Sequence, residues 1–506
     1  MRRFALLLAV LLFAPAPTRA ADFDPAVVDT VVEKALVAFN APGAAVVVVK
    51  DDQIIYLKGF GVREKSTSEK VTPDTVFAIA SCSKAFTSTL VAMLADEGKL
   101  KWDDKVHTHL DSFRLSDELA DREVTLRDLL SHRTGMPRHD MLWAGLSSDT
   151  GELIHRWGLG KPSTSFRSTW EYSNVPFTTA GYICGKLTKS NWASATKARI
   201  FDPLGMESSS ATSKDGQSAA NHATPHYLGF DKTIAPIAWD DLDQAGGAGC
   251  VNSTARDMGQ WLRFQLAEGK IDKKRLVSEK NLHETHSPQM LVKPVGPFAV
   301  YFPPKAVKFS SYGLGWFVHD YRGHLCVSHG GTLTGFRAQT MLVPAEKIGV
   351  FVACNLRPSY VTEAVSKSVL DHLLGLPTED WVKFHTDAQS ASELRIAVAR
   401  TARLAARKSD TKPSREPAKY AGTYTEPAYG AATVTEKAGV LTLVWGKFTF
   451  RLDHHHFDTY TAVPVEPKEE ARSFDRATFD AQFRLGTDGE VESLKFLDQE
   501  FVRAKK

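Results

Sequence analysis

Cysteine is scarce in this chain and never clustered. Cys82, Cys184, Cys250, Cys326 and Cys354 stand singly among 506 residues. No two have the short spacing of a zinc ligand set or a thioredoxin-type redox motif, and five is an odd number, so buried free thiols are expected rather than a disulfide framework. Net charge is equally scarce, with 62 Lys and Arg against 59 Asp and Glu. That balance gives no bulk field to recruit nucleic acid. Long apolar runs are confined to the start. Arg2 and Arg3 precede the stretch Phe4–Ala14, Pro15 and Pro17 break it, and Thr18-Arg19-Ala20 supplies small residues. This is the pattern of a signal peptide over residues 1–20, too short to span a membrane as a mature helix, and it implies a periplasmic or secreted protein. Its removal takes away Arg2, Arg3 and Arg19 and leaves 59 basic against 59 acidic side chains.

What remains is long enough for two or more cores. Hydrophobic residues at 43% and charged residues at 24% are those of a soluble globular protein. Ala44–Lys50 and Gln53–Leu57 are β-rich runs around Asp51-Asp52 and predict a hairpin. A middle section, roughly Thr125–Ser287, alternates helical patterns with Gly- and Pro-marked turns. Strand signals return at Tyr312–His319, Leu325–Ser328, Arg337–Val343 and Ile348–Asn355, and a helical pattern over Val361–Leu374 closes the unit. Strands at both ends of a helical middle predict an α+β domain over residues 21–385. Ser390–Lys408 reads as a basic amphipathic helix, taken as a connecting element with a solvated face, within a helical linker over residues 386–416. Short strands with turns at Lys437-Ala438-Gly439 and Asp488-Gly489 predict a separate all-β domain over residues 417–506, a small barrel or curled sheet. Its His454-His455-His456 run looks like a metal tract, but alternating strand faces keep three consecutive side chains from one ion, so a structural role is expected.

The chemistry-bearing residues fall in three short stretches. Ser81-Cys82-Ser83-Lys84 opens a helical pattern continued by Phe86, Leu90, Met93 and Leu94. Residues three apart on a helix are neighbours, so Ser81 and Lys84 can touch. A desolvated lysine with a lowered pKa can take the proton that keeps a serine hydroxyl from being a good nucleophile. Tyr172-Ser173-Asn174 places a phenol and a carboxamide two apart. The phenol suits proton relay, and the carboxamide can bridge a substrate amide and the lysine. His329-Gly330-Gly331-Thr332 follows the apolar run Leu325–Ser328. Paired glycines at a strand edge let another backbone approach, the Thr332 and Ser81 N–H groups can form an oxyanion hole, and His329 supplies a donor whose charge depends on pH.

Together and in this order, these stretches resemble the serine β-lactamase and penicillin-binding-protein superfamily, in particular the class C branch with D-aminopeptidases and family VIII esterases. The likeness runs from about Asp24 to Leu376. It includes Phe77-Ala78-Ile79-Ala80, Leu129–Pro137, Pro203-Leu204-Gly205-Met206, Ala245-Gly246-Gly247, Ser253–Asp257 and Tyr312–Trp316. The resemblance implies an antiparallel sheet flanked by helices, an all-helical subdomain, and a site in the cleft between them. It implies Ser81 as acylated nucleophile, Lys84 as its partner, Tyr172 in proton transfer and Asn174 in substrate orientation. His329, Gly330 and Gly331 stand where the family usually has Lys-Thr-Gly. A histidine there weakens recognition of a β-lactam carboxylate. His132 and Asp140 suggest a Ser-His-Asp triad, but no nucleophile elbow accompanies them. Tyr420–Tyr424, Leu452–His454 and Gly486–Phe496 resemble the small uncharacterised domain found behind such hydrolases.

The expectation is a serine hydrolase of amide or ester bonds with no metal or organic cofactor, no nucleic-acid partner and no stable membrane span. Its substrate would be a small peptide, amide or ester. D,D-carboxypeptidase or β-lactamase activity, an acyltransferase, and a non-catalytic peptidoglycan-binding module are the alternatives.

Overall fold

A computed structural model describes residues 23–146, 149–465 and 479–505. The signal peptide expected over residues 1–20 lies outside the described residues. Eight strands form one antiparallel sheet in the order 53–61, 43–50, 348–354, 336–343, 324–333, 317–321, 310–312 and 290–291. The first hairpin turns where expected, at Asp51 and Asp52, both at positive φ. The next pairing joins opposite ends of the chain, Ala44 against Cys354 and Lys50 against Ile348. The unbroken apolar run Ala44–Val49 is explained by cover on both faces, since every residue in it is fully buried. Helices Pro25–Phe39 and Val361–Leu373 lie on one face, and Ala255–Leu266 lies on the other. Gly259 and Gly349 mark the tightest part of that second contact, because a Cβ at either would press on Val47 and Ile54 or on Leu262.

The helical subdomain packs around Ser83–Asp96, where every residue from Ser83 to Leu94 is buried. A helix buried on all sides needs partners all round. It finds them in Val175–Leu187, the short helix Gly246–Gly249, and Glu279–Thr285. Stacking of Phe86 on Trp261 at 3.8 Å between ring centroids ties this helix to the sheet layer.

Several expected boundaries shift. The strand expected over Tyr312–His319 is two strands, Ser310–Tyr312 and Phe317–Tyr321, because Gly315 (φ 83°) turns the chain against the carbonyl of Lys84. The strand expected to end at Ser328 runs through the glycines as His324–Leu333, paired in register with Phe336–Val343. The connecting helix starts earlier, at Trp381, capped by Asp380, and runs unbroken to Ala405. It therefore crosses the expected boundary at 385/386, and its first turns are anchored by buried Trp381, Val382 and His385. Eight strands of the described residues between Gly422 and Arg503 form a closed barrel. His455 is buried there, while His454 Nε2–H donates to the Phe457 carbonyl at 2.9 Å. All five cysteines are free and buried.

Candidate active site

Ser81 does not lie within the long helix. It sits in a 3-10 turn, Ala80–Cys82, and the helix begins at Ser83. Ala80 is held at φ 48°, a left-handed conformation that costs a non-glycine residue roughly 1–3 kcal/mol. The turn is pinned by Ser83, whose Oγ donates to the Ala80 carbonyl at 2.6 Å and accepts from the Val251 N–H at 2.9 Å. The result lifts Ser81 into a cleft of about 620 Å³ while Lys84 stays fully buried beneath it.

Lys84 Nζ has three neighbours: Ser81 Oγ at 3.1 Å, Asn174 Oδ1 at 2.8 Å and the Ala248 carbonyl at 2.8 Å. Burial holds its pKa well below the ordinary lysine value, and Arg138 lowers it further; the pull of Asp140 is smaller. A neutral amine has two N–H bonds and one lone pair. Two carbonyl oxygens, which can only accept, take the two N–H bonds, so the lone pair faces the Ser81 hydroxyl. Asn174 is fixed in this role by its own amide, since Nδ2 donates to Asp140 Oδ1 at 3.0 Å. Tyr172 lines the cleft with Ser81, and its ring lies 5.0 Å from both Lys84 Nζ and the Arg138 guanidinium. Burial raises its pKa, so it stays a phenol that can donate a proton.

The third stretch differs from expectation. His329 is buried, with Nδ1–H donating to the Gly330 carbonyl at 2.7 Å and Nε2 accepting from the Tyr312 hydroxyl at 3.0 Å. Burial, with Lys84 nearby, lowers its pKa to about 3. The expected pH-dependent charge is therefore absent: both nitrogens are engaged and the ring is neutral. No inflection near pH 6.5 should appear in KM, and pH–rate profiles of wild type and His329→Asn check this. Gly331 serves a close approach, but not of substrate. A Cβ there would lie 2.0 Å from the Ile79 carbonyl, so the glycine lets the strand press against the turn that carries Ser81. Pairing with Phe317–Tyr321 stops at Ser328. The outer edge of His329–Leu333 thus has no strand neighbour among the described residues and faces the cleft. Cys82 also links the two segments, its thiol donating to the His329 carbonyl at 3.2 Å and kept protonated by burial, with a pKa of about 12.

His132 belongs to no triad. Its Nδ1 accepts from the Ser173 N–H at 3.2 Å, and its ring packs on Tyr172, Phe177 and Tyr312. Asp140 instead binds Asn174, Trp143 and Arg138. Sequence reasoning missed Arg138 and Asp140 as members of the site. Arg138 follows directly on the Leu129–Pro137 stretch, which was a usable signal.

The barrel supports this wall of the cleft. Tyr429 hydroxyl meets His139 Nδ1 at 2.9 Å, and Lys447 N–H donates to the Gly145 carbonyl at 3.0 Å. Gly145 packs under Trp445 and Phe448, where a side chain would not fit. Tyr429→Phe removes the hydrogen bond beside Asp140, and kcat/KM should fall by about 3- to 10-fold, the equivalent of one hydrogen bond. Steady-state kinetics of that variant test it.

A serine, a buried lysine and a phenol grouped in a cleft between a sheet domain and a helical one define a serine hydrolase. The chain belongs to the family described as Beta-lactamase, which matches residues 28–375, and residues 406–505 match a "Domain of unknown function (DUF3471)". It is 26% identical over 488 residues to an unguisins hydrolase of Aspergillus campestris, covering 91% of this chain and 86% of that protein. It is 28% identical over 348 residues to protein flp of Staphylococcus aureus, covering 67% and 64%. In fold it is similar to an octameric penicillin-binding protein homologue from Pyrococcus abyssi, with a TM-score of 0.60, 20% identity and coverage of 95% and 100%. It is also similar to a D-amino acid amidase from Ochrobactrum anthropi, with a TM-score of 0.57, 20% identity and coverage of 69% and 97%. No helix among the described residues is long and apolar enough to cross a membrane.

Proposed function

We propose that this enzyme cleaves amide or ester bonds of small substrates through an acyl-enzyme on Ser81. Neutral Lys84 takes the Ser81 proton as Oγ attacks the carbonyl carbon. The N–H groups of Ser81 and Thr332 hold the developing oxyanion. The proton passes from Lys84 by way of Tyr172 to the leaving nitrogen or oxygen, and the first product departs. Water then attacks the ester, gives its proton to the same pair, and releases the acid with Ser81 restored. Asn174 orients both Lys84 and the substrate amide, and the open strand edge at Gly330–Thr332 receives the substrate backbone. The contacts of Lys84 are the observation that supports this reading most strongly: with two carbonyl acceptors and the Ser81 hydroxyl as its neighbours, the neutral amine has its lone pair left for the hydroxyl. A binding module needs no such base.

Short peptides and esters with a small acyl group are the proposed substrates, D-residue peptides among them. The names of the fungal hydrolase and the D-amino acid amidase agree with amide cleavage. Neutral His329 offers no cation to a β-lactam carboxylate, so β-lactamase activity is weak or absent. The apolar run behind Arg2 and Arg3 supports export. A panel of p-nitrophenyl esters, D-alanyl p-nitroanilide and nitrocefin tests the assignment on wild type and Ser81→Ala. Turnover of esters or anilides, lost in the variant, with little nitrocefin cleavage, is expected. Nitrocefin turnover exceeding that of every ester and anilide would overturn it.

A further inference from the structure

The cleft does not end at the strand edge. It continues past Gly330 into a chamber between the sheet and the helix Val361–Leu373. Strand alternation puts Ser328, Gly330 and Thr332 on the face that also carries Gln339 and Arg337, opposite them in register. Gly330 adds no side chain to this passage, where the end of the Gln339 side chain would lie 3.0 Å from a Cβ. Arg337, Arg357 and Lys367 all line the chamber.

The carboxylates around them are already engaged. Glu363 uses one oxygen for Arg337 Nη2 and the other for the Thr362 hydroxyl at 2.8 Å. Asp371 accepts from Tyr321 at 2.7 Å, Arg322 at 2.6 Å and Trp381 Nε1 at 2.7 Å. Lys367 is 4% exposed, and its Nζ makes no hydrogen bond or ion pair among the described residues. The Arg357 guanidinium is likewise without one, with Asp240, Tyr227 and Tyr301 farther off. Glu363 and Asp371 act on Lys367, and Asp240 on Arg357, only through space; a buried cation with no hydrogen-bonded anion gains from one that reaches it. Phe302, Phe317, Tyr301 and Tyr321 add aromatic surface beside the polar His319, Ser328 and Gln339, and Asp240 lines the same cleft.

We propose that this chamber is an anion subsite, which takes a carboxylate carried on an arm of the substrate, so that acidic amides or esters are preferred. The inference rests on the Ser81 chemistry proposed above and names its substrate class. The aromatic residues suit the apolar arm and Lys367 suits the terminal carboxylate, with Arg357 a further cation on the wall.

Two matched series of substrates test it with the full chain. One carries the charge on the acyl arm, as p-nitrophenyl half-esters of succinate, glutarate, adipate and suberate against their methyl esters. The other carries it on the leaving arm, as 3-carboxyphenyl acetate against phenyl acetate. At least one acid should exceed its neutral partner about 10-fold in kcat/KM. Lys367→Met should lower the acid about 10-fold and the neutral partner less than 2-fold, while Lys367→Arg keeps the preference. Calorimetry of suberate with Ser81→Ala reads the subsite without catalysis. Binding there should weaken about 10-fold when Lys367→Met is added. Suberate binding survives as support for the subsite even if Ser81 proves not to be acylated, which separates the two readings. Equal rates for every acid and neutral pair in wild type, or parallel losses for both in Lys367→Met, would overturn the proposal.

Discussion

Replacing Lys84 with methionine is expected to lower kcat/KM by about 10³-fold or more, with the protein still folded. The magnitude follows from losing the group that takes the serine proton, in a set of side chains that act as a unit. Methionine matches the length and fills the buried site, so the amine alone is lost. Asn174 Oδ1 and the Ala248 carbonyl then lose a donor, at a cost of about 1–3 kcal/mol each in stability. The pH profile has a defined sign. Lys84 acts only when neutral, and its folded pKa lies below the ordinary value. Activity of wild type should therefore rise with pH through that lowered pKa and not wait for the ordinary lysine range near 10.4. Stopped-flow acylation across pH 5–10 measures both effects. An unchanged acid limb in Lys84→Met, at near wild-type rate, would remove the lysine from the chemistry.

Gly331→Ala is expected to have the second largest effect. Its Cβ would fall 2.0 Å from the Ile79 carbonyl, a backbone atom that no side-chain rotation can clear. The strand His324–Leu333 must then move away from the turn Ala80–Cys82. Overpacking of this kind costs about 1–3 kcal/mol. The functional cost is larger, because Thr332 and Ser81 no longer hold their two N–H groups at one spacing. Loss of an oxyanion donor costs about 10²–10³-fold in kcat. Gly330→Ala is the informative comparison. There a Cβ meets the end of the Gln339 side chain at 3.0 Å, so stability should hardly change. Thermal unfolding and steady-state kinetics of the two variants, side by side, separate packing from catalysis.

Much of the site was legible because its chemistry allows few residue types. Ser81, Lys84, Tyr172 and Asn174 lie in stretches whose order pointed to one family, and they line or underlie one cleft. The strand and helix pattern gave an α+β domain and a C-terminal barrel or curled sheet, while the antiparallel arrangement of the main sheet was implied by the family resemblance. What escaped depends on contacts between remote segments. Nothing near Gly331 in sequence reveals that its neighbour is the carbonyl of Ile79. The charge state of His329 is set by burial and by Tyr312, seventeen residues away, so its unperturbed pKa misled. Arg337 and Glu363 pair, with Lys367 one turn along the same helix, because a strand and a helix pack together, and no local pattern carries that. The break within Tyr312–His319 was marked by Gly313 and Gly315, which an apolar strand signal outweighed.

Catalysis by this route requires Ser81 to become acylated with its proton taken by Lys84. The most direct measurement is intact-protein and peptide mass spectrometry after quenching turnover of a slowly hydrolysed ester. One acyl group per chain, on the peptide containing Ser81 and absent from Ser81→Ala, is the expected result, with its rate of formation rising with pH in wild type. An acyl group on any other residue, or an unmodified Ser81 while substrate is being consumed, would contradict it.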